Sequence, residues 1–284
     1  MSQLRLCPWL VLVSLLWSGP HCHAGEVVAE TLATETAEFY GNRAKFFSWL
    51  PPRFRPDRNW RDSLSPWLKS EEPEFSQGYE ELVVRDYFRD MKGGTFVDVG
   101  CYLPLQDSTT AFLERRLKWS GVAIDAIPLY AEQWSLHRPD SRFLPYAITD
   151  KDGETLTFHV ALGNSSLNER HLENTLKMLE VDGPVPPTGE MQVRTSTLDT
   201  LLDEARVGRI DFLSMDIEGA EPLALAGFDI QRFRPMLVCI ERSDEDSIMR
   251  YFAENGYELI EKYLRVDKLN WYFRPTADVD PFRG

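Results

Sequence analysis

Four short apolar runs, each ending in a carboxylate, constrain this chain most. They are TFVD, GVAID, DFLSMD and MLVCIE, ending at Asp98, Asp125, Asp216 and Glu241. A strand that is apolar throughout is buried on both faces, so it needs a helical layer on each side. Helical patterns do fall between the runs, at 79–90, 106–118, 129–137, 198–205 and 244–255. Further strand patterns lie at 142–147, 154–162 and around Val193. The final pair, YELIEKYL and DKLNWYFR, reads as an antiparallel edge. Alternating strands and helices predict a three-layer α/β sandwich around a mostly parallel sheet. Ligands of such sheets bind beyond the carboxyl ends of the strands, where the four acids lie.

The charge balance narrows the partners. With 31 Lys and Arg against 45 Asp and Glu, the formal net charge is -14. A binder of phosphate backbones needs the opposite surplus, so nucleic acid is not expected as a partner.

Residues 1–24 are predicted to be a secretory signal peptide. Arg5 precedes an uncharged apolar run of 12 residues, from 6 to 17, and small residues end at Ala24. About 20 apolar residues would be needed to span a membrane, so no integral span is expected once this segment is cleaved. An uncleaved anchor is the alternative. Residues 25–75 form an N-terminal arm, and its stretch 40–75 carries five prolines and three tryptophans. Two readings apply to the arm: a segment wrapped over the main domain, or one that lines a substrate cleft. The main domain covers residues 76–275, and a tail of residues 276–284 follows.

Removal of the signal leaves Cys101 and Cys239, read as buried small hydrophobes rather than a disulfide. In a secreted chain, Asn164-Ser165-Ser166 is an acceptor triplet for glycosylation.

Asp98 and Asp125 are separated by 27 residues, one strand-helix-strand unit. Between them Gly100 opens the first turn, where a missing side chain lets a ligand approach the backbone. Amides at the start of the following helix could meet an anion. Asp125 is placed to accept hydrogen bonds from ribose hydroxyls. A strand-end aspartate can also merely cap the next helix. The turn reads Gly100-Cys101-Tyr102-Leu103-Pro104-Leu105, without the repeated glycines that cradle a pyrophosphate. That disfavours a nicotinamide or flavin oxidoreductase. In the segment IDFLSMDIEGAEPLALAGF, Asp216 and Glu218 would share one side if the strand continued. They could act as a general base or bind a hard cation. Glu221 reads as an acid in the first turn of a helix. The sequence identifies no third ligand, so no metal is expected.

Taken together, SQGYEEL, GTFVDVGCYLPLQDSTTAFLE, GVAIDAIP, TSTLDTLLDE, RIDFLSMDIEGAEPLALAGF and MLVCIERSD resemble the FkbM-type S-adenosylmethionine-dependent methyltransferases. The resemblance implies a class I, Rossmann-like fold with a seven-stranded sheet and one reversed strand. It implies S-adenosylmethionine as cofactor, with Asp98, Gly100 and Cys101 at its methionine end. Asp125 would take the ribose with Ala126 alongside, and Ala147 would pass the adenine within residues 146–148. Asp216 would stand by the transferred methyl as the first candidate base, with Glu218 behind it. The family turn often reads Asp-x-Gly-x-x-x-Gly, and its second glycine falls here on Pro104. The expected activity is methylation of a hydroxyl, on a glycan or a small metabolite, in the secretory pathway. The alternative is a methyltransferase fold kept as a non-catalytic binding module.

Overall fold

The structure is a computed structural model that describes residues 50–161, 163–182 and 188–276. The signal segment, residues 25–49 of the arm and residues 277–284 of the tail lie outside them.

Seven strands form the main sheet: β1 (Thr95–Val99), β2 (Ser120–Asp125), β3 (Ser141–Pro145), β7 (Phe212–Met215), β8 (Leu237–Glu241), β9 (Tyr257–Leu259) and β10 (Asn270–Pro275). Their order is β3-β2-β1-β7-β8-β10-β9. All are parallel except β10, which runs antiparallel to both β8 and β9. The expected mostly parallel sheet with one reversed strand is therefore present. The reversal lies at the terminal pair, one place in from the edge.

The double-sided burial of the apolar runs is visible residue by residue. Val97, Val99, Leu213, Met215, Val238 and Ile240 face one core layer. The alternate residues Phe96, Phe212, Leu237 and Cys239 face the other. The first layer is covered by α5 (Leu198–Ala205), α6 (Glu221–Ala226), α7 (Ile230–Phe233) and α8 (Glu245–Glu254). The second is covered by α1 (Glu80–Phe88) and α2 (Ala111–Leu117). Trp60, Leu64 and Leu68 of the arm also pack there. Trp60 lies on Tyr79 with ring centroids 3.9 Å apart. This part of the arm thus wraps the domain.

Several element bounds differ from the sequence expectation. The 106–118 helix begins only at Ala111, because residues 103–110 form a loop held by Arg138. The 142–147 strand is split. Tyr146 breaks it, and β4 (Ala147–Ile148) joins a second, three-stranded sheet with β5 (Thr155–Val160) and β6 (Gly189–Ser196). Leu162, the end of the expected 154–162 strand, lies outside the described residues. The segment YELIEKYL is a strand only to Leu259 and then a short 3-10 helix, Glu261–Arg265. The described residues include two further α-helices, α3 (Ala131–His137) and α4 (Glu169–Asp182).

Candidate functional site

A cleft of about 550 Å3, counting space open to solvent, lies at the carboxyl ends of β1, β2 and β7. Gly100, Tyr102, Asp125 and Ala126 line one wall. Tyr146, Ala147, Ile148 and Phe158 bring the small sheet to another, and Asp216, Ile217 and Glu218 close the β7 side.

Gly100 is needed for a reason other than ligand approach. Its φ is +81°, and a Cβ there would sit 1.7 Å from the Asp216 carbonyl oxygen. The first turn and the end of β7 are in backbone contact, and only glycine fits between them. The Asp216 amide donates to the Val99 carbonyl at 2.9 Å, joining the same two segments.

The first turn is organised by side chains rather than by glycines. The Tyr102 amide donates to Asp125 Oδ2 at 3.0 Å, and the Ile127 amide donates to Asp125 Oδ1 at 2.9 Å. Asp125 therefore braces both turns, and each of its oxygens keeps acceptor capacity toward the cleft. Burial lifts its pKa to about 6. Since α2 starts at Ala111, the amides after Gly100 belong to a loop, and no helix start presents them to an anion.

Asp98 does not line the cleft. It lies buried behind the turn and accepts from Thr110 Oγ1 at 2.6 Å. Thr110 Oγ1 accepts in turn from Arg138 Nη2 at 3.1 Å. Arg138 is fully buried, and it also donates to Glu114 at 2.7 Å and to the Pro104 carbonyl at 2.9 Å. This network fixes the loop in which Pro104 stands in place of glycine. Cys101 likewise faces the core rather than the cleft, and both Cys101 and Cys239 are buried free thiols.

Beyond β7 the chain turns instead of continuing as a strand. Glu218 takes a left-handed φ of +53°. Asp216 and Glu218 still reach the same cleft. Helix α6 begins at Glu221, and neither Asp216 nor Glu218 caps it. Glu221 is a brace: it accepts from the Ile217 amide at 2.8 Å, the Gly219 amide at 3.1 Å and the Ser243 hydroxyl. Asp216 is exposed at the cleft; its packed setting at the strand ends, then the nearby Glu218 and Glu221 carboxylates, raise its pKa above the usual carboxylate range.

Two further groups join these acids: His171, which the sequence did not mark, and Glu241, expected only as a strand-end acid. His171 on α4 contacts Glu218 Oε2 through Nε2 at 3.2 Å, and that carboxylate raises the His171 pKa. Glu241, at the end of β8, points its carboxylate at the same group of acids. Nothing in the polar helix pattern around His171 marks it, because its partner is 47 residues away. The glycosylation triplet falls on the rim: Ser165 lines the cleft, and the buried Ser166 hydroxyl donates to the Glu218 carbonyl at 2.6 Å.

Among solved structures, a TehB-like SAM-dependent methyltransferase from Corynebacterium glutamicum is similar at 12% identity. That match covers 70% of this chain and 88% of the other, with a TM-score of 0.38. No curated protein matches the chain. The model of the methyltransferase FkbM domain matches residues 98–259, more than half of the sequence, and the chain belongs to the FkbM methyltransferase family.

Proposed function

We propose that this protein is an S-adenosylmethionine-dependent O-methyltransferase whose acceptor is a hydroxyl of a glycan or small metabolite met in the secretory pathway. The observation that carries the reading is the convergence of Asp125 and Asp216 on one cleft at the strand ends. The lining fits the donor. The free acceptor capacity of Asp125 suits the two ribose hydroxyls. Ala126, Ala147, Ile148 and Phe158 offer an apolar slot for a flat base. Gly100 and the main chain at Tyr102 are left for the methionine end. Asp98 and Cys101 support the turn from behind rather than touch the ligand.

When bound, S-adenosylmethionine supplies an electrophilic sulfonium methyl. The protein's task is to hold the acceptor oxygen in line and take its proton. Asp216, exposed to the cleft at the end of β7, suits the proton-accepting role, and Glu218 lies behind it. Pro104, where the family turn has a glycine, does not favour the binding-module alternative. Its carbonyl is bound by Arg138 and it does not line the cleft, so it does not obstruct the site.

Release of S-adenosylhomocysteine from a pool of glycans and small hydroxylated acceptors tests the reading. The protein for this assay comes from a secretory host, and its first residue should be Gly25. Asp216→Asn should keep the fold and lower turnover by about 10²–10⁴-fold. Turnover equal to wild type would remove Asp216 from the mechanism. No wild-type turnover and no cofactor binding would favour the binding module, and an intact Met1 would exclude signal cleavage.

A further inference from the structure

Beside the donor cleft, the ends of β7 and β8 and the start of α4 bring four acids and an imidazole together. Glu241 is at their centre. One oxygen each from Glu241 and Glu218 and a ring nitrogen of His171 lie within 4.8 Å of one another. One oxygen each from Glu241, Asp216 and Glu221 do so as well. Glu221 is already committed to two backbone amides and the Ser243 hydroxyl.

Glu241 is the anomaly. Its Oε2 is sealed from solvent and receives no hydrogen bond. The polar group beside it is another carboxylate, Glu221. The adjacent Arg242 is turned away, donating to Glu245 and to the Lys268 carbonyl. Among the described residues, no Lys or Arg pairs with Asp216, Glu221 or Glu241. Asp216 is open to the cleft, but Glu221 and the Glu241 Oε2 are shut away from water, and carboxylates held this closely there need protons or a cation between them.

The geometry points to a divalent cation site in which Glu241, Glu218 and His171 are the protein ligands and Asp216 stands at its cleft side. Two carboxylate oxygens and one imidazole nitrogen suit a first-row ion such as Mn²⁺ better than Ca²⁺. Three protein ligands leave positions open for an acceptor hydroxyl. A hydroxyl bound there loses its proton more readily: the O–H bond breaks, the proton passes to the Asp216 carboxylate, and the oxygen keeps the electron pair on the ion. This role rests on the methyltransferase reading; the existence of the site does not.

The test is Mn²⁺ titration of the full chain, followed by loss of the free-ion electron paramagnetic resonance signal and by thermal melting. The wild type should show a saturable site and a rise in melting temperature. Glu241→Gln and His171→Asn should each weaken uptake by at least about tenfold. Glu241→Gln removes a repelled charge, so it should fold as well as wild type without metal. Glu173→Gln, on the exposed face of α4 where Glu173 pairs with Lys177, should bind as wild type does. No saturable uptake by the wild type, or equal uptake by all three variants, overturns the site and leaves shared protons as the explanation. Calorimetry with S-adenosylmethionine in the presence of a chelator separates the two readings. Cofactor binding without Mn²⁺ uptake removes only the cation site. Mn²⁺ uptake without cofactor binding leaves the site standing and removes the methyltransferase reading.

Discussion

Replacing Gly100 by alanine should damage the protein more than the same change at another left-handed glycine. The new Cβ would lie 1.7 Å from the Asp216 carbonyl oxygen, whereas contacts below 3.0 Å essentially never occur. The turn after β1 and the end of β7 would have to part by more than 1 Å. A shift of that size stretches the 2.9 Å bond from the Asp216 amide to the Val99 carbonyl past hydrogen-bonding distance. Left-handed alanine, overpacking and the lost bond together amount to about 3–6 kcal/mol. For a domain of this size that is a fall in melting temperature of roughly 10–20 °C. Gly153 supplies the control. Its φ is +75°, yet nothing lies within 4 Å of its Cβ position. Gly153→Ala therefore carries only the conformational cost, about 1–2 kcal/mol. Thermal melts of the two variants decide the matter. Equal losses would show that the close approach of the turn and β7 is not what requires glycine.

Arg138→Met should cost about 3–5 kcal/mol in urea unfolding, because it strands the buried Glu114 carboxylate; a loss under about 1 kcal/mol would refute the brace. Adding Glu114→Gln should recover part of the loss. Burial, then Asp267, lifts Glu80 to about pKa 8, so the folded chain holds a proton that the unfolded chain has released. Its contribution to stability should fall as pH rises from about 4.5 to about 8. Glu80→Gln should flatten that fall, and an unchanged slope would contradict it.

Much of the fold was legible because the main strands are buried on both faces and so read as continuous apolar runs. The acids ending them, Asp98, Asp125, Asp216 and Glu241, are all at strand ends as expected. What sequence could not show is which way each acid points. Asp98 turns back toward Thr110, while Asp125 and Asp216 turn into the cleft, and all three look alike as strand-end aspartates. The helix expected from residue 106 was misplaced because Thr110 and Arg138 hold the preceding loop through side-chain bonds. Those bonds link residues about 30 apart and leave no periodic trace. His171 and Glu241 converge only through the packing of α4 against the strand ends. The apolar wall from Phe158 depends on the small second sheet, whose pairing a linear pattern does not reveal.

The central claim is that the cleft binds S-adenosylmethionine, and calorimetry of the purified chain tests it most directly. Saturable heats are expected with both S-adenosylmethionine and S-adenosylhomocysteine. Asp125→Ala should lose the charge-assisted bonds to the ribose, about 1.5–3 kcal/mol, or roughly 10–100-fold in affinity. Thermal melting of that variant separates loss of binding from loss of fold, since Asp125 also braces the Tyr102 and Ile127 amides. No binding of either ligand by the well-folded wild type at millimolar concentration would contradict the account, as would unchanged affinity in a well-folded Asp125→Ala.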